Sequence, residues 1–390
     1  MTIPSYLRSV TVALVAGCGN AEAPALGTPT SDTLAGGIVR VRNDVPMGWR
    51  NGSAAWQVTE ELRISGDEGT ESEIINPQSL ALDASGRVWV ADQSPARLKL
   101  YGRDGRLVRV VAREGEGPGE FRVGFIVPAG TYLVLHDPQQ SRTSVFDSAG
   151  TFLRSFPSQC CYHMAIGADP EGGVLIAGMA AGEERRGQAW YRYSLEGKLL
   201  DTTFVPRLTE DKFWTVGDPK RMMMNLAIPF TPRIEAVSHP AGGFLLGHSG
   251  TYQLARIRQA GDTALLFGRS WTPQPVTDQD RRDIIERMIP TFDQFDEATL
   301  RRAFHAEDIP AVRPAFSSLW VDQEGYSWVL RDSVEFDVFD PAGGWLGELI
   351  ISPSLSTGTA FFGRARITSS VEQSDGRPVV VVWRVDKLQR

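Results

Sequence analysis

Cys160 and Cys161 are adjacent, and His163 follows two residues later. No other grouping in the chain carries as much reactive chemistry. Neighbouring cysteines can pair only through a strained ring, and strain makes a disulfide easier to reduce. The same thiols could instead stay free and buried. With His163 they could also offer a soft metal two sulfurs and an imidazole. Metal sites of that kind want three or four ligands, and no second Cys or His cluster lies nearby in sequence. The spacing leaves all three readings open.

Carboxylates form the second candidate set. Asp83, Asp169 and Asp322 open tight turns, while Asp92, Asp137 and Asp332 end short apolar strands. Gathered in one channel, such groups could hold Ca²⁺ or another divalent ion for hydrolysis. An Asp at a turn also accepts hydrogen bonds from its own backbone, which needs no ligand. The histidines His136, His163, His239, His248 and His305 are scattered. There is no Gly-x-Ser-x-Gly elbow and no His-Glu-x-x-His motif. The Gly-rich run Gly115–Phe121 lacks the Lys-Ser/Thr pair of a phosphate loop. No catalytic residue and no resident metal or cofactor is therefore assigned. Candidates for a ligand-contacting face are His163, Trp214, Arg221, His248 and Arg313, with Trp190 and Trp271 also beside irregular stretches.

What must position these residues is a repeat. Asn76–Val111 reads as four short strands. Ser79–Asp83 meets a turn at Gly86, Val88–Ala91 ends in Asp92, and Leu98–Tyr101 meets a turn at Gly105 before Leu107–Val111. Strands rich in Val, Leu and aromatics, bounded by Gly and Asp, are the signature of hairpins. The first turn recurs at Gly130, Gly172, Gly242, Gly325 and Gly376. The second recurs at Gly150, Gly197, Gly261 and Gly343, always 18 to 25 residues after the first. The nearest copy of the opening unit, Trp320–Asp332, repeats the Asp-x-x-Gly turn, the Trp-Val strand and the final Asp. The sixth copy stops after Pro378–Val385, and an extra strand, Ala55–Ile64, precedes the first. A ring whose N-terminal strand completes the last blade explains both leftovers, and closure removes free sheet edges.

The expected fold is all-β, a six-bladed β-propeller closed by an N-terminal strand, with a short helical insertion. The unit LALDASGRVWVADQSPARLKLYGRDGRLVRVV resembles an NHL-type repeat. GEGPGEF resembles the linker between blades in bacterial six-bladed propeller lipoproteins of the TolB-like kind. The resemblance implies the propeller and no single activity, since one fold hosts many functions.

Two spacings break the period. Arg207–Arg233, containing Met222-Met223-Met224, and Thr272–Phe316 are insertions in the domain spanning 41–390. Thr277 can cap a helix whose Ile284, Ile285, Met288 and Ile289 share one face before Pro290, and a second short helix follows from Asp296. Both insertions join a fourth strand to the next first strand, so both should crowd one end of the ring. An exposed apolar helix face there would suit docking in an envelope complex.

The formal net charge of −7 argues against a nucleic-acid partner. Arg8, the apolar run Val10–Ala16 and small residues before Cys18 describe an export signal over 1–17, too short to span a bilayer. Val15-Ala16-Gly17-Cys18 resembles a bacterial lipobox, which implies a diacylated Cys18. Gly19 after it implies the outer membrane, facing the periplasm or the exterior. Residues 18–40 read as anchor and flexible tether. The expected molecule is a monomeric, lipid-anchored propeller that binds an envelope protein, peptide or glycan. The alternative is a lactonase- or lyase-like enzyme with a channel metal.

Overall fold

The computed structural model describes residues 27–48, 56–158, 165–180, 188–205, 212–258 and 261–387. Six four-stranded antiparallel units surround a channel, each with its first strand innermost. Blade 1 is Pro77–Leu82, Val88–Asp92, Arg97–Tyr101 and Leu107–Arg113. Blade 2 begins at Phe125, blade 3 at Ile166, blade 4 at Ile234, blade 5 at Ser318 and blade 6 at Phe361. Gln57–Ile64 pairs antiparallel with Pro378–Asp386 and is the outer strand of blade 6. The ring therefore closes as the two sequence leftovers require.

The sixth copy differs from the expected phase. Gly376 lies between the second strand, Arg366–Glu372, and the third, Pro378–Asp386, not after the first. The true first strand is only Phe361–Phe362. Two residues are too few to show an alternating pattern, so in sequence the next strand takes the place of the first.

Each blade packs on the next through its own apolar cluster. Trp89, Leu100, Phe121 and Phe146 join blades 1 and 2, and Trp328, Phe336, Phe362 and Trp383 join blades 5 and 6. Among the described residues the seam between blades 3 and 4 is the thinnest, with four buried side chains, Leu175, Ala177, Trp190 and Phe244. At Gly167 a Cβ would come within 2.1 Å of Ser238 Oγ on blade 4, so the approach of these inner strands requires glycine.

The repeated acids are scaffold. Asp83 Oδ1 accepts the amides of Ser85 and Arg87, and its Oδ2 accepts Trp89 Nε1. Asp322 does the same for Glu324, Tyr326 and Trp328. Asp92 accepts the amides of Ile75 and Asn76, and Asp137 that of Arg122, so each pins the chain entering its blade. Asp92 also pairs at 2.6 Å with Lys99, whose side chain is fully buried. In blade 4 a histidine stands in for the turn acid: His239 Nδ1 accepts the amide of Ala241 at 3.0 Å.

The N-terminal segment holds more structure than its composition suggests. Thr30–Thr33 falls inside the expected tether, yet it pairs with Val39–Arg42, which runs parallel to Thr263–Gly268 on the outer edge of blade 4. Blade 4 thereby becomes six-stranded. The signal was only Val39 and Val41 alternating with arginines, too short to separate from a tether. Asn43, 2% exposed, then bolts blade 4 to blade 5. Its Nδ2 donates to Gly268 O and Gly343 O, and its Oδ1 accepts Trp345 N–H at 2.8 Å. Asn43→Ala takes the partner from three backbone groups, two of them buried. It should lower stability by about 2 kcal/mol, read as a drop in the urea midpoint with an unchanged slope. An unchanged midpoint would show that the bolt carries nothing.

Candidate functional site

The two insertions fold into one cap. Thr277 Oγ1 accepts Asp280 N–H while Asp280 Oδ2 accepts Thr277 N–H, a reciprocal box that starts helix α1, Asp278–Met288. Asp296 caps α2, Glu297–Ala303, by accepting Thr299 N–H at 2.9 Å. The Thr299 hydroxyl, which donates to Asp296 Oδ2 at 2.7 Å, and then the Thr299 amide hold the Asp296 carboxyl below its ordinary range. The other insertion contributes a hairpin, Phe213–Gly217 with Met223–Ala227. Phe213–Gly217 alternates exposed and buried, so Trp214 and Val216 point inward. They meet Ile228, Ile284, Leu300, Phe304 and Ile309 in a core separate from the blades.

Ile285, Met288 and Ile289 pack against the same core. The apolar helix face is thus covered by the hairpin insertion, which removes the basis for reading it as an exposed docking element. Both insertions do share one end of the ring. Arg313 ties the cap down: it pairs with Asp280 at 3.0 Å and lies 4.7 Å over the Phe230 ring.

Between hairpin and α2 runs a groove of about 510 Å³. One wall is Thr215, Gly217, Asp218, Arg221 and Met222; the other is Phe295, Asp296, Thr299, Arg302 and Ala303. Gly217 has φ 99°, and a Cβ there would sit 2.1 Å from Met222 O and 2.8 Å from the Phe295 ring. Arg302 donates to Ala298 O and Thr299 Oγ1. Among the described residues the Arg221 guanidinium has no ion-pair partner, so it offers a free cation at the rim.

The channel is the second concavity, about 370 Å³. Its wall is mainly apolar, from Leu80, Phe125, Ile166, Val237, Leu319 and Phe361. Asp322 is the one ionisable residue among its described lining, and both of its oxygens are occupied, one by Lys387 Nζ at 2.8 Å. Among the described residues no three His, Cys, Asp or Glu side chains group as metal ligands. A divalent ion wants several free oxygens, and this lining does not supply them.

The sequence candidates do not converge. Cys18, Cys160, Cys161 and His163 lie outside the described residues. Trp214 is inside the cap core, its Nε1 donating to Asp308 at 3.0 Å and its ring 4.8 Å from Phe304. His248 ends a blade 4 strand and meets Thr251 Oγ1 at 3.1 Å. Arg313 is engaged as above, and only Arg221 reaches the groove. Met222 belongs to the Met run that marks the first insertion, but no sequence pattern marks Phe295, Thr299 or Arg302. The alternation of Phe213–Gly217 would have marked the hairpin, but nothing in sequence sets it beside α2. Trp190 does line a cavity, the channel.

No family model matches the chain, and no curated protein matches it. Solved structures do align. A candidate exported protein from Bacteroides fragilis is 9% identical, with a TM-score of 0.49 over 89% of this chain and 99% of that one. Virginiamycin B lyase from Staphylococcus aureus is 10% identical, with a TM-score of 0.43 over 84% of this chain and 99% of the lyase. A Bacteroides vulgatus protein of the DUF4221 family is 11% identical, with a TM-score of 0.44 over 85% and 98%. Likeness at this level carries no argument about activity. Among the described residues no helix is long and apolar enough to cross a membrane. The chain is a six-bladed β-propeller whose structural neighbours include bacterial proteins.

Proposed function

We propose that this chain is a lipid-anchored, extracytoplasmic binding module, an NHL-like propeller lipoprotein that acts as a monomer and takes a polypeptide segment in its cap groove. One observation carries the reading. Insertions from two different crossovers build a single core, and where they meet they leave a groove with a free cation at its rim. A strand-like ligand fits the surroundings. Among the described residues the hairpin is a two-stranded sheet, and its outer face exposes Phe213 at 48% and Met223 at 49%. Segments of extended peptide dock on such edges through backbone hydrogen bonds, with side chains filling adjacent pockets. The sequence Val15-Ala16-Gly17-Cys18 supports the anchor. The enzyme alternative, a lactonase- or lyase-like channel metal, has less support because the described lining offers no free carboxylate.

The test is affinity capture from envelope extracts with the full-length protein and with Thr299→Trp, which fills the groove without touching the cap core. A discrete envelope protein should be retained by the wild type and lost, about tenfold or more, by a variant of unchanged melting temperature. Equal retention would overturn the groove. Globomycin should cause the precursor to accumulate, and Cys18→Ser should leave the membrane fraction; failure of both would remove the anchor.

A further inference from the structure

Lys387 stands just past the last strand, Pro378–Asp386, and its ammonium sits in a corner built by other parts of the chain. Its Nζ donates to Asp322 Oδ2 at 2.8 Å and to Glu324 Oε2 at 2.5 Å. It lies 4.3 Å from the centre of the Tyr326 ring and 4.9 Å from that of Trp56. The two rings meet edge to face, 4.9 Å apart. Aromatic faces and carboxylates around one ammonium are the chemistry that recognises organic cations.

The other blades show that the turn itself does not need this arrangement. Asp83 and Asp169 open the matching turns of blades 1 and 3. Each is paired with an arginine of its own blade, Arg87 at 2.7 Å and Arg192 at 2.6 Å. Arg87 comes four residues after Asp83; the residue four after Asp322 is Tyr326, which makes a cage wall and brings no charge. Among the described residues of blade 5, none supplies a cation to Asp322, although Asp322 is only 2% exposed. A buried carboxylate has to be paired, and here the cation comes from a residue that belongs to no ladder. Among the described residues the Lys387 backbone amide bonds only to Val385 O, two positions back, so its side chain can withdraw without breaking a strand pair. That side chain keeps 16% of its surface in solvent, which leaves the cage open along the stem.

We propose that Trp56, Asp322, Glu324 and Tyr326 form a binding site for a primary alkylammonium ion, that Lys387 fills it as a built-in competitor, and that the site takes the ammonium group of a second molecule when Lys387 withdraws. The guest that fits is a straight chain of about four carbons ending in an ammonium, the shape of the lysine stem. Two carboxylates call for N–H donors, which a quaternary ammonium lacks. The site shares no residue with the cap groove and does not depend on it.

The test uses the full-length protein, Lys387→Ala and n-butylammonium, with potassium and tetramethylammonium at equal ionic strength as controls. n-Butylammonium should bind the variant saturably, one per chain, and raise its melting temperature. The wild type should bind it about tenfold more weakly, because a tethered Lys387 competes at an effective concentration in the millimolar range. Tetramethylammonium should act no differently from potassium. Adding Glu324→Gln to Lys387→Ala should weaken n-butylammonium about tenfold, the value of one hydrogen bond to a charged group. Nα-Acetyl-lysine amide presents the same stem from a peptide backbone: its binding assigns the site to a lysine of a polypeptide, and its exclusion assigns it to a free amine. A variant that melts cooperatively only with n-butylammonium present supports the site equally. Melting that n-butylammonium and potassium affect alike would overturn the proposal. So would stabilisation by tetramethylammonium, equal affinity of wild type and Lys387→Ala, or an affinity that Glu324→Gln leaves unchanged.

Discussion

Asp337→Ala should lower the free energy of unfolding by about 4 kcal/mol, the range seen when one partner of a buried charge network is removed. Asp337 is fully buried on the third strand of blade 5. Its Oδ2 accepts the Tyr252 hydroxyl and the Arg269 Nε at 2.8 Å, and the Arg331 guanidinium lies 3.3 Å away. Its Oδ1 accepts Trp345 Nε1 at 3.1 Å. Arg269 lies 4.6 Å over the Trp345 ring and 5.1 Å over that of Tyr252. One carboxylate therefore fixes two cations, a phenol and an indole across the seam of blades 4 and 5. Burial, with Asp337 alongside, pushes the Tyr252 hydroxyl well above its ordinary range, so it remains a donor. Removing the carboxylate strands three donors, the Tyr252 hydroxyl, Arg269 Nε and Trp345 Nε1, while Arg331 keeps Glu335 and Glu348 at 3.1 Å. Asp337→Asn keeps the shape and loses the charge, and should cost less. Urea unfolding at constant slope measures both, and a loss below about 1 kcal/mol for the Ala variant would show that the network is dispensable.

Mild acid should destabilise the fold before most carboxylates titrate. His136 is 2% exposed, with Nδ1 3.2 Å from both Thr143 Oγ1 and Ser158 Oγ, which are 2.7 Å from each other. Neither hydroxyl can compensate a charge, and burial pulls the imidazole down from 6.5 to about 4. A histidine depressed in the folded state favours folding fully above its unfolded value. That contribution declines as pH falls from about 6.5 and is gone below about 4. The gap is worth about 3 kcal/mol across the window. His239 adds in the same direction: burial, then the nearby Arg256, lowers it to about 4, and protonation would cost its turn the Ala241 hydrogen bond. Denaturant unfolding at pH 7, 5 and 4 should show the decline, and His136→Asn should flatten about half of it, His239 supplying the rest. A wild-type curve as flat as that of the variant would reject the assignment.

The blades were legible because each repeats one local instruction. Gly86, Gly325 and their counterparts adopt positive φ, and the acids beside them tie their own turns, so short-range chemistry is enough to read them. Ring closure was legible for the same reason, as a surplus strand at one end matched a deficit at the other. The sites were not. Trp214 as a sequence symbol is equally at home in a core or on a face, and its place was decided by Phe304, 90 positions away. The groove depends on Gly217 meeting Phe295, and the channel on Gly167 meeting Ser238; both are contacts between segments that no periodicity links. Asn43 was invisible as well, because its role is to accept and donate across two blades far from it in sequence.

The strap that carries Asn43 also has a mechanical consequence. A polypeptide ring closed by a single strand is weakest under tension at its closure, because pulling that strand unzips the ring. Here the closing strand, Gln57–Ile64, is not the first element that a pull from the N-terminal side would reach. The load passes first into the hairpin on blade 4 and then into the Asn43 bolt between blades 4 and 5. The closure lies beyond both, so the strap works as a strain relief, and a molecule held by its N-terminal segment can be tugged without its clasp bearing the force.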